Sequence, residues 1–252
     1  MAALSVCRVI ENAELASGIY RLVIDGGEIA VFAQPGQFLH IKCGEGNLLR
    51  RPVSVSDAHS GRVSLVFEVK GSGTAWLSER RSGDALDILG PLGRGFDLGA
   101  ENIIVAGGGI GVPPLLYAAG KIRGRAAAAL GFRGMDRIIL RDEFSARCDA
   151  VYITTDDGSF GIAGPVTIPL EELMRSGGYG AVLACGPRPM LKAVADLAAR
   201  YGIPCQVSLE ERMGCGVGAC LVCACGIRRD GEDHMERVCK DGPVFDAREV
   251  IW

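Results

Sequence analysis

The sequence carries no surplus of positive charge. Lysine and arginine number 27 against 30 aspartates and glutamates, a formal net charge of −3 over 252 residues, so nucleic acid is a poor partner. It has no apolar run approaching the length that crosses a bilayer. The opening MAALSVCRVIENAELASGIY lacks the basic start, apolar centre and small-residue cleavage site of an export signal, so the expected location is the cytoplasm. A reducing compartment excludes a disulfide framework, and the ten cysteines need another explanation. Internal repeats and long linkers are also missing.

Glycine is abundant: its 36 residues are about twice the usual share. An excess of this kind suits tight turns and close backbone approaches, as a chain wrapping phosphorylated cofactors needs. With 48% hydrophobic and 23% charged residues the composition is globular, and the length admits two compact domains plus a small appendage. Residues 1–98 read as six short strands, LSVCRVI, IYRLVI, QFLHIKC, RPVSVSD, RVSLVFEVK and DALDILG, which predict a closed antiparallel barrel. Residues 99–209 alternate buried-strand runs such as NIIVAGG and AVLACG with helical stretches such as GVPPLLYAAGKIR and RPMLKAVADLAARYG. That alternation predicts a parallel sheet covered by helices. Residues 210–252 are rich in cysteine and glycine and only weakly periodic.

In this last segment Cys215, Cys220, Cys223 and Cys239 form C-x4-C-x2-C-x15-C, the plant-type spacing for a [2Fe–2S] cluster held by four thiolates. Gly214, Gly216 and Gly218 allow the loop's N–H groups to turn inward toward sulfur. Cys239 returns after GIRRDGEDHMERVC, a hairpin with DG as its turn. A zinc site would want a second close cysteine pair. A Rieske centre would want two histidines, where the segment has only His234. Cys225 is the extra thiol and reads as packing, like Cys7, Cys43, Cys148, Cys185 and Cys205 in most contexts.

Two further constellations suit anionic ligands. In RRPVSVSD, Arg51 could clamp a phosphate and Ser54 could place a hydroxyl at the edge of a planar ring, while Gly73-Thr74 opens a short helix whose N-terminus favours a second phosphate. Taken singly, these are also a solvated arginine and a helix cap. In VAGGGIGVPP, Gly107, Gly108, Gly109 and Gly111 allow a pyrophosphate to approach the backbone, although the spacing is not G-x-G-x-x-G and a tight strand–helix corner would look the same. Cys185-Gly186 ends a buried strand where open sheets bind ligands. Arg133 could meet a 2′-phosphate or lie free in a loop, and the carboxylates of TTDDGSFG read as solvated.

The order of barrel with R-x-x-S, α/β domain with GGGIGVPPL and CGPRPML, then ERMGCGVGACLVCAC and VCKDGPVF resembles the electron-transfer subunits of class 1B dihydroorotate dehydrogenases, within the ferredoxin–NADP reductase superfamily. The resemblance implies FAD on the barrel at Arg51, Pro52, Val53, Ser54, Phe67, Glu68, Gly73 and Thr74, with Val53 standing where the family's motif has a ring-stacking tyrosine. It implies NAD at the glycine turn and Gly186, with Ser54 and Cys185 near the reacting atoms. It implies a partner subunit that oxidises dihydroorotate on its own FMN, in a heterotetramer of two of each chain, with electrons passing through the cluster and FAD to NAD in pyrimidine biosynthesis. The related readings are the flavin subunit of a bifurcating transhydrogenase or sulfide dehydrogenase, a stand-alone reductase, and a zinc-bound interaction module.

Overall fold

The computed structural model describes residues 3–252. Its first six strands are β1 (Ala3–Ala16), β2 (Ile19–Asp25), β3 (Phe38–Ile41), β4 (Arg51–His59), β5 (Arg62–Glu68) and β6 (Ala85–Leu92). They close into an antiparallel barrel in the order β1-β2-β5-β4-β3-β6, which leaves no unpaired strand edge. Alternation of side chains sends Leu22, Ile24, Leu39, Ile41, Val55, Leu65 and Ile88 inward, each with none of its surface exposed. The β4–β5 reversal uses Ser60 and Gly61, both at positive φ, the pairing that suits the twist of a two-residue hairpin. Two short helices decorate the barrel: α1 (Glu28–Phe32), which the strand pattern does not announce, and α2 (Ser72–Ser78).

The second unit is built on β7 (Ile103–Gly108), β8 (Ala126–Phe132), β9 (Ala150–Thr155), β10 (Ile162–Ala163), β11 (Ala181–Cys185) and β12 (Cys205–Ser208). Its sheet runs β10-β9-β8-β7-β11-β12 and ends on β15 (Val244–Asp246), parallel except for the last pairing. β7 and β11 are apolar almost throughout because helices cover both faces. One face packs α5 (Thr167–Ser176) and α6 (Arg188–Arg200) through Leu170, Leu173, Leu191 and Val194. The other packs α3 (Val112–Ala119) and α4 (Arg141–Ser145) through Leu115, Leu116 and Phe144. Helix α3 stops at Gly120, short of the GKIR that the apolar pattern includes.

The final segment forms a hairpin, β13 (Ala224–Arg229) with β14 (Glu232–Arg237), turning at Asp230-Gly231 with both residues at positive φ. The chain then runs back as β15 (Val244–Asp246), the antiparallel edge of the large sheet, with Val207 opposite Phe245. Ile227, Val238, Phe245 and Val250 join the same apolar cluster as α5 and α6. The cysteine-rich segment therefore shares the core of the α/β unit.

Barrel and α/β unit meet across three ion pairs, Arg21 with Glu143, Asp57 with Arg147 and Glu68 with Arg137. All six side chains keep some solvent contact, so each pair contributes at most about 1 kcal/mol. Ile19 and Val66 of the barrel pack into the apolar cluster of the α/β unit, and a buried hydrogen bond crosses beside them, from the Tyr117 hydroxyl of α3 to the Ala33 carbonyl at 2.8 Å. Tyr117→Phe leaves that carbonyl without a partner and should lower stability by about 1–3 kcal/mol. Urea unfolding should show a lower midpoint at unchanged slope, whereas an unaltered midpoint would remove this bond from the interface energetics.

Candidate functional site

The order of the parallel sheet reverses between β7 and β11, the point where open α/β sheets bind ligands beyond their strand ends. Both predicted motifs end there: Gly107 lies opposite Cys185 in the β7–β11 register. The glycines divide the work. A Cβ on Gly111 would lie 2.4 Å from the Cys185 carbonyl oxygen, one on Gly107 2.9 Å from Val112, and one on Gly108 2.4 Å from the Met190 sulfur. These three are glycines because protein fills the space. Gly109 differs, with φ +53° and nothing within 4 Å of its absent side chain, so it is the one open to a ligand. Gly186 packs on Met190 and on the Gly108 amide.

Cys185 keeps part of its surface open, yet burial pushes its thiol up to about 12, with the Ser208 hydroxyl pulling weakly the other way. It is a neutral thiol and not an ionised nucleophile. Arg133 lies exposed just after β8. The neighbouring Gly134 packs against the Asp157 carboxylate, where a Cβ would come within 2.6 Å. Hydrogen bonds from Ser159 hold Asp157 below the usual carboxylate range.

On the barrel, Arg51 bonds the Leu49 carbonyl and reaches Asn47 Oδ1 at 3.3 Å. Its guanidinium passes over the start of α2 so closely that a Cβ on Gly73 would fall 2.5 Å from its Nε. Arg51 on β4 and the α2 N-terminus, the two parts of the predicted clamp, therefore lie side by side. The Thr74 hydroxyl accepts the Lys70 and Gly71 amides, so its side chain caps the helix and any ligand would meet its backbone. Pro52 is exposed and Ser54 half-buried, both on the outer face of β4, while Val53 points into the barrel core. Phe67 is buried in the same core, stacked on Tyr20 with ring centroids 5.9 Å apart. Glu68 is engaged by Arg137 and Lys70.

The four cysteines stand as two pairs. The Cys215 amide lies 3.4 Å from Cys220 Sγ, and the Cys239 amide 3.5 Å from Cys223 Sγ. The Val217 and Ala219 amides point at Cys215 Sγ from 3.4 and 3.2 Å. Burial opposes ionisation of Cys215, but the amides of Val217, Cys220 and Ala219 outweigh it and bring the thiol down to about 6. Burial, then the neighbouring Cys223, push Cys239 up to about 12. Among the described residues no three His, Cys, Asp or Glu side chains converge on one point. Two thiol pairs with amides aimed at sulfur fit a two-iron cluster, one pair to each iron, better than a single zinc ion. Cys225 is buried in the hairpin's packing, and burial pushes its thiol up to about 11.

Sequence reasoning passed over His40. It sits on β3 opposite Pro52, with none of its surface exposed and no hydrogen-bond partner on either ring nitrogen. Burial, reinforced by the Arg50 charge, lowers its pKa to about 4, and the nearby Arg50 and Cys215 backbones recover only part of that. The one signal was a polar residue inside the apolar run QFLHI. Gly216 of the cysteine loop, at φ +73°, runs directly over the ring, where a Cβ would lie 2.5 Å from Nδ1.

Residues 210–251 match the iron-sulfur cluster binding domain of dihydroorotate dehydrogenase B. The chain is 41% identical over 247 residues to the "Dihydroorotate dehydrogenase B (NAD(+)), electron transfer subunit" of Caldanaerobacter subterraneus subsp. tengcongensis, covering 97% of each. It is 42% identical to the subunit of the same name from Geobacillus thermodenitrificans, covering 96% of each. Among solved structures, the NADH-dependent reduced ferredoxin-NADP oxidoreductase, described for flavin-based electron bifurcation, aligns with a TM-score of 0.88 at 30% identity over 100% of this chain and 92% of that one.

Cys215→Ala, Cys220→Ala, Cys223→Ala and Cys239→Ala should each abolish the paramagnetic signal of the reduced cluster. Cys225→Ala should keep it, together with about two irons per chain. Loss of the signal in Cys225→Ala, or its survival in all four of the others, would overturn the ligand set.

Proposed function

The chain belongs to the electron transfer subunits of NAD-linked dihydroorotate dehydrogenase B, and we propose that it carries electrons from a catalytic partner to NAD through a [2Fe–2S] cluster and FAD held by the residues described above. The observation that carries this reading is the seating of the cysteine loop on β3, the strand next to the R-P-V-S strand β4. Adjacent strands lie about 4.8 Å apart, so a cluster in the loop and a flavin on β4 would be close neighbours. The bound flavin supplies the conversion between two-electron hydride exchange with NAD and one-electron exchange with the cluster.

The protein's part is binding, orientation and charge. Arg51 and the first turn of α2 meet the flavin phosphates, and Ser54 offers its hydroxyl on the outer face of β4. Gly109 opens the backbone to the dinucleotide pyrophosphate, while Gly107, Gly108 and Gly111 bring the two strand ends close enough to form the crevice. Cys185 presents an uncharged thiol there and leaves the electron route to the cofactors. The ionised Asp157 beside Gly134 makes the loop at Arg133 a poor place for a second phosphate, which favours NAD over NADP. The amides on Cys215 stabilise thiolate charge around iron.

The rim of the cysteine loop is apolar and open, with Val217 48%, Leu221 63% and Val222 57% exposed. Desolvating this rim would bring an FMN-containing catalytic subunit against the cluster, and two copies of each chain would complete a cytoplasmic heterotetramer. Among the described residues no helix is long and apolar enough to cross a membrane. The likeness to the bifurcating oxidoreductase favours a second reading, a flavin subunit of that kind of complex. The partner distinguishes them. Expressed with an FMN-containing dihydroorotate-oxidising subunit, the chain should form a complex that reduces NAD with dihydroorotate. Failure to associate, or full activity of the isolated chain with a soluble protein acceptor, would contradict the reading.

Two variants probe the parts. Gly73→Ala displaces the Arg51 guanidinium and should weaken FAD retention about tenfold or more, as Arg51→Ala should, with folding retained because the displaced atoms end a flexible side chain. Unchanged FAD occupancy on desalting in both would take Arg51 out of the site. Leu221→Asp should weaken association with the catalytic subunit about tenfold, the scale of about 1.5 kcal/mol for one buried apolar side chain. Undiminished co-purification would move the interface elsewhere.

A further inference from the structure

His40 is the feature that the cofactor sites leave unexplained. It is the fully buried histidine of a chain with three, His59 and His234 both being exposed. A neutral imidazole has one donor and one acceptor, and leaving a buried polar group unpaired costs about 1–3 kcal/mol. An aliphatic side chain would fill the position on β3 without that cost. Buried polar atoms in native proteins have partners; the Arg50 and Cys215 backbones approach the His40 ring, but neither ring nitrogen has a partner at full hydrogen-bond distance and angle.

The surroundings narrow the missing partner. Leu39 and Ile41 point into the barrel, so His40 points out of it, on the same face as Pro52 across the strand pair. What covers it is the cysteine loop: the Gly216 backbone lies against Nδ1, and the Cys215 backbone is near enough to act on its charge. The loop can pass there only because residue 216 has no side chain. Sulfur acceptors are what a loaded loop adds to this place, in the Cys215 thiolate and the inorganic sulfides.

Resting on the cluster reading above, we propose that His40 is a positioning residue that donates a ring N–H to a sulfur of the bound cluster. The bond joins the cysteine loop to the barrel wall beside the flavin strand. Donation to sulfur favours the reduced, more negative cluster, so His40 raises its reduction potential.

The test uses the full-length holoprotein with histidine labelled by 15N. Pulsed paramagnetic resonance of the reduced cluster should show one weakly coupled histidine nitrogen, absent from His40→Leu. Redox titration should find the cluster potential of His40→Leu shifted to more negative values with the flavin potential unchanged. His40→Gln, which keeps an N–H, should recover part of the shift. A fully occupied wild-type cluster without histidine coupling would overturn the proposal, even if His40→Leu failed to hold iron. So would an unshifted cluster potential in His40→Leu, or a shift of the flavin potential alone. Wild-type protein lacking iron and signal under anaerobic preparation would instead overturn the cluster reading itself.

Discussion

Gly216 crosses directly over the His40 ring, and that crossing seats the cysteine loop on the barrel wall. One is a residue of a thiol-bearing loop, the other a side chain on a barrel strand, and 175 positions of sequence separate them. A relay between a cluster and a flavin needs the two groups close and fixed. The cysteine loop crosses the barrel wall at a glycine with positive φ, which lets its backbone lie directly on β3. A side chain at 216 would lift the loop away from β3, and with it the cysteines from the strand that carries Arg51 and Ser54.

The remaining architecture holds that contact in place from behind. After Cys239 the chain turns at Asp241, which Arg237 grips through two side-chain bonds. It then bonds the barrel at Arg94 and joins the edge of the parallel sheet as β15. Gly93 lets Pro243 approach, since a Cβ there would lie 2.6 Å from the proline ring. The cluster segment is thereby tied to both other units, and the flavin and nicotinamide units are tied to each other through Tyr117. The sites thus lie on rigid elements sharing packed surfaces, as positions accurate to fractions of an ångström require.

What could be read in the sequence follows the range of the interactions concerned. The six barrel strands were visible because alternation is local, as was the DG hairpin, whose turn needs two residues at positive φ. The cysteine spacing was legible because Cys215, Cys220 and Cys223 fall within one nine-residue loop. The same glycine pattern at 107–111 was ambiguous, since packing against Met190, Val112 and the Cys185 carbonyl asks for glycine as strongly as a pyrophosphate does. The partners that Phe67 and Glu68 meet in the structure, Tyr20 and Arg137, are distant in sequence and were not readable from it. β15 is three residues long and carries no periodic signal. His40 was hidden for the same reason: its meaning lies in a glycine more than half the chain away.

The relay proposed for this chain runs between NAD and its iron–sulfur cluster by way of the flavin. Anaerobic NADH titration of the isolated full-length chain, with the flavin spectrum and the cluster's paramagnetic signal followed together, tests it most directly. The flavin-loaded protein should develop both changes, and protein stripped of flavin but retaining the cluster should develop neither. Equal cluster reduction with and without flavin, or a cluster that stays oxidised beside a fully reduced flavin, would contradict the account.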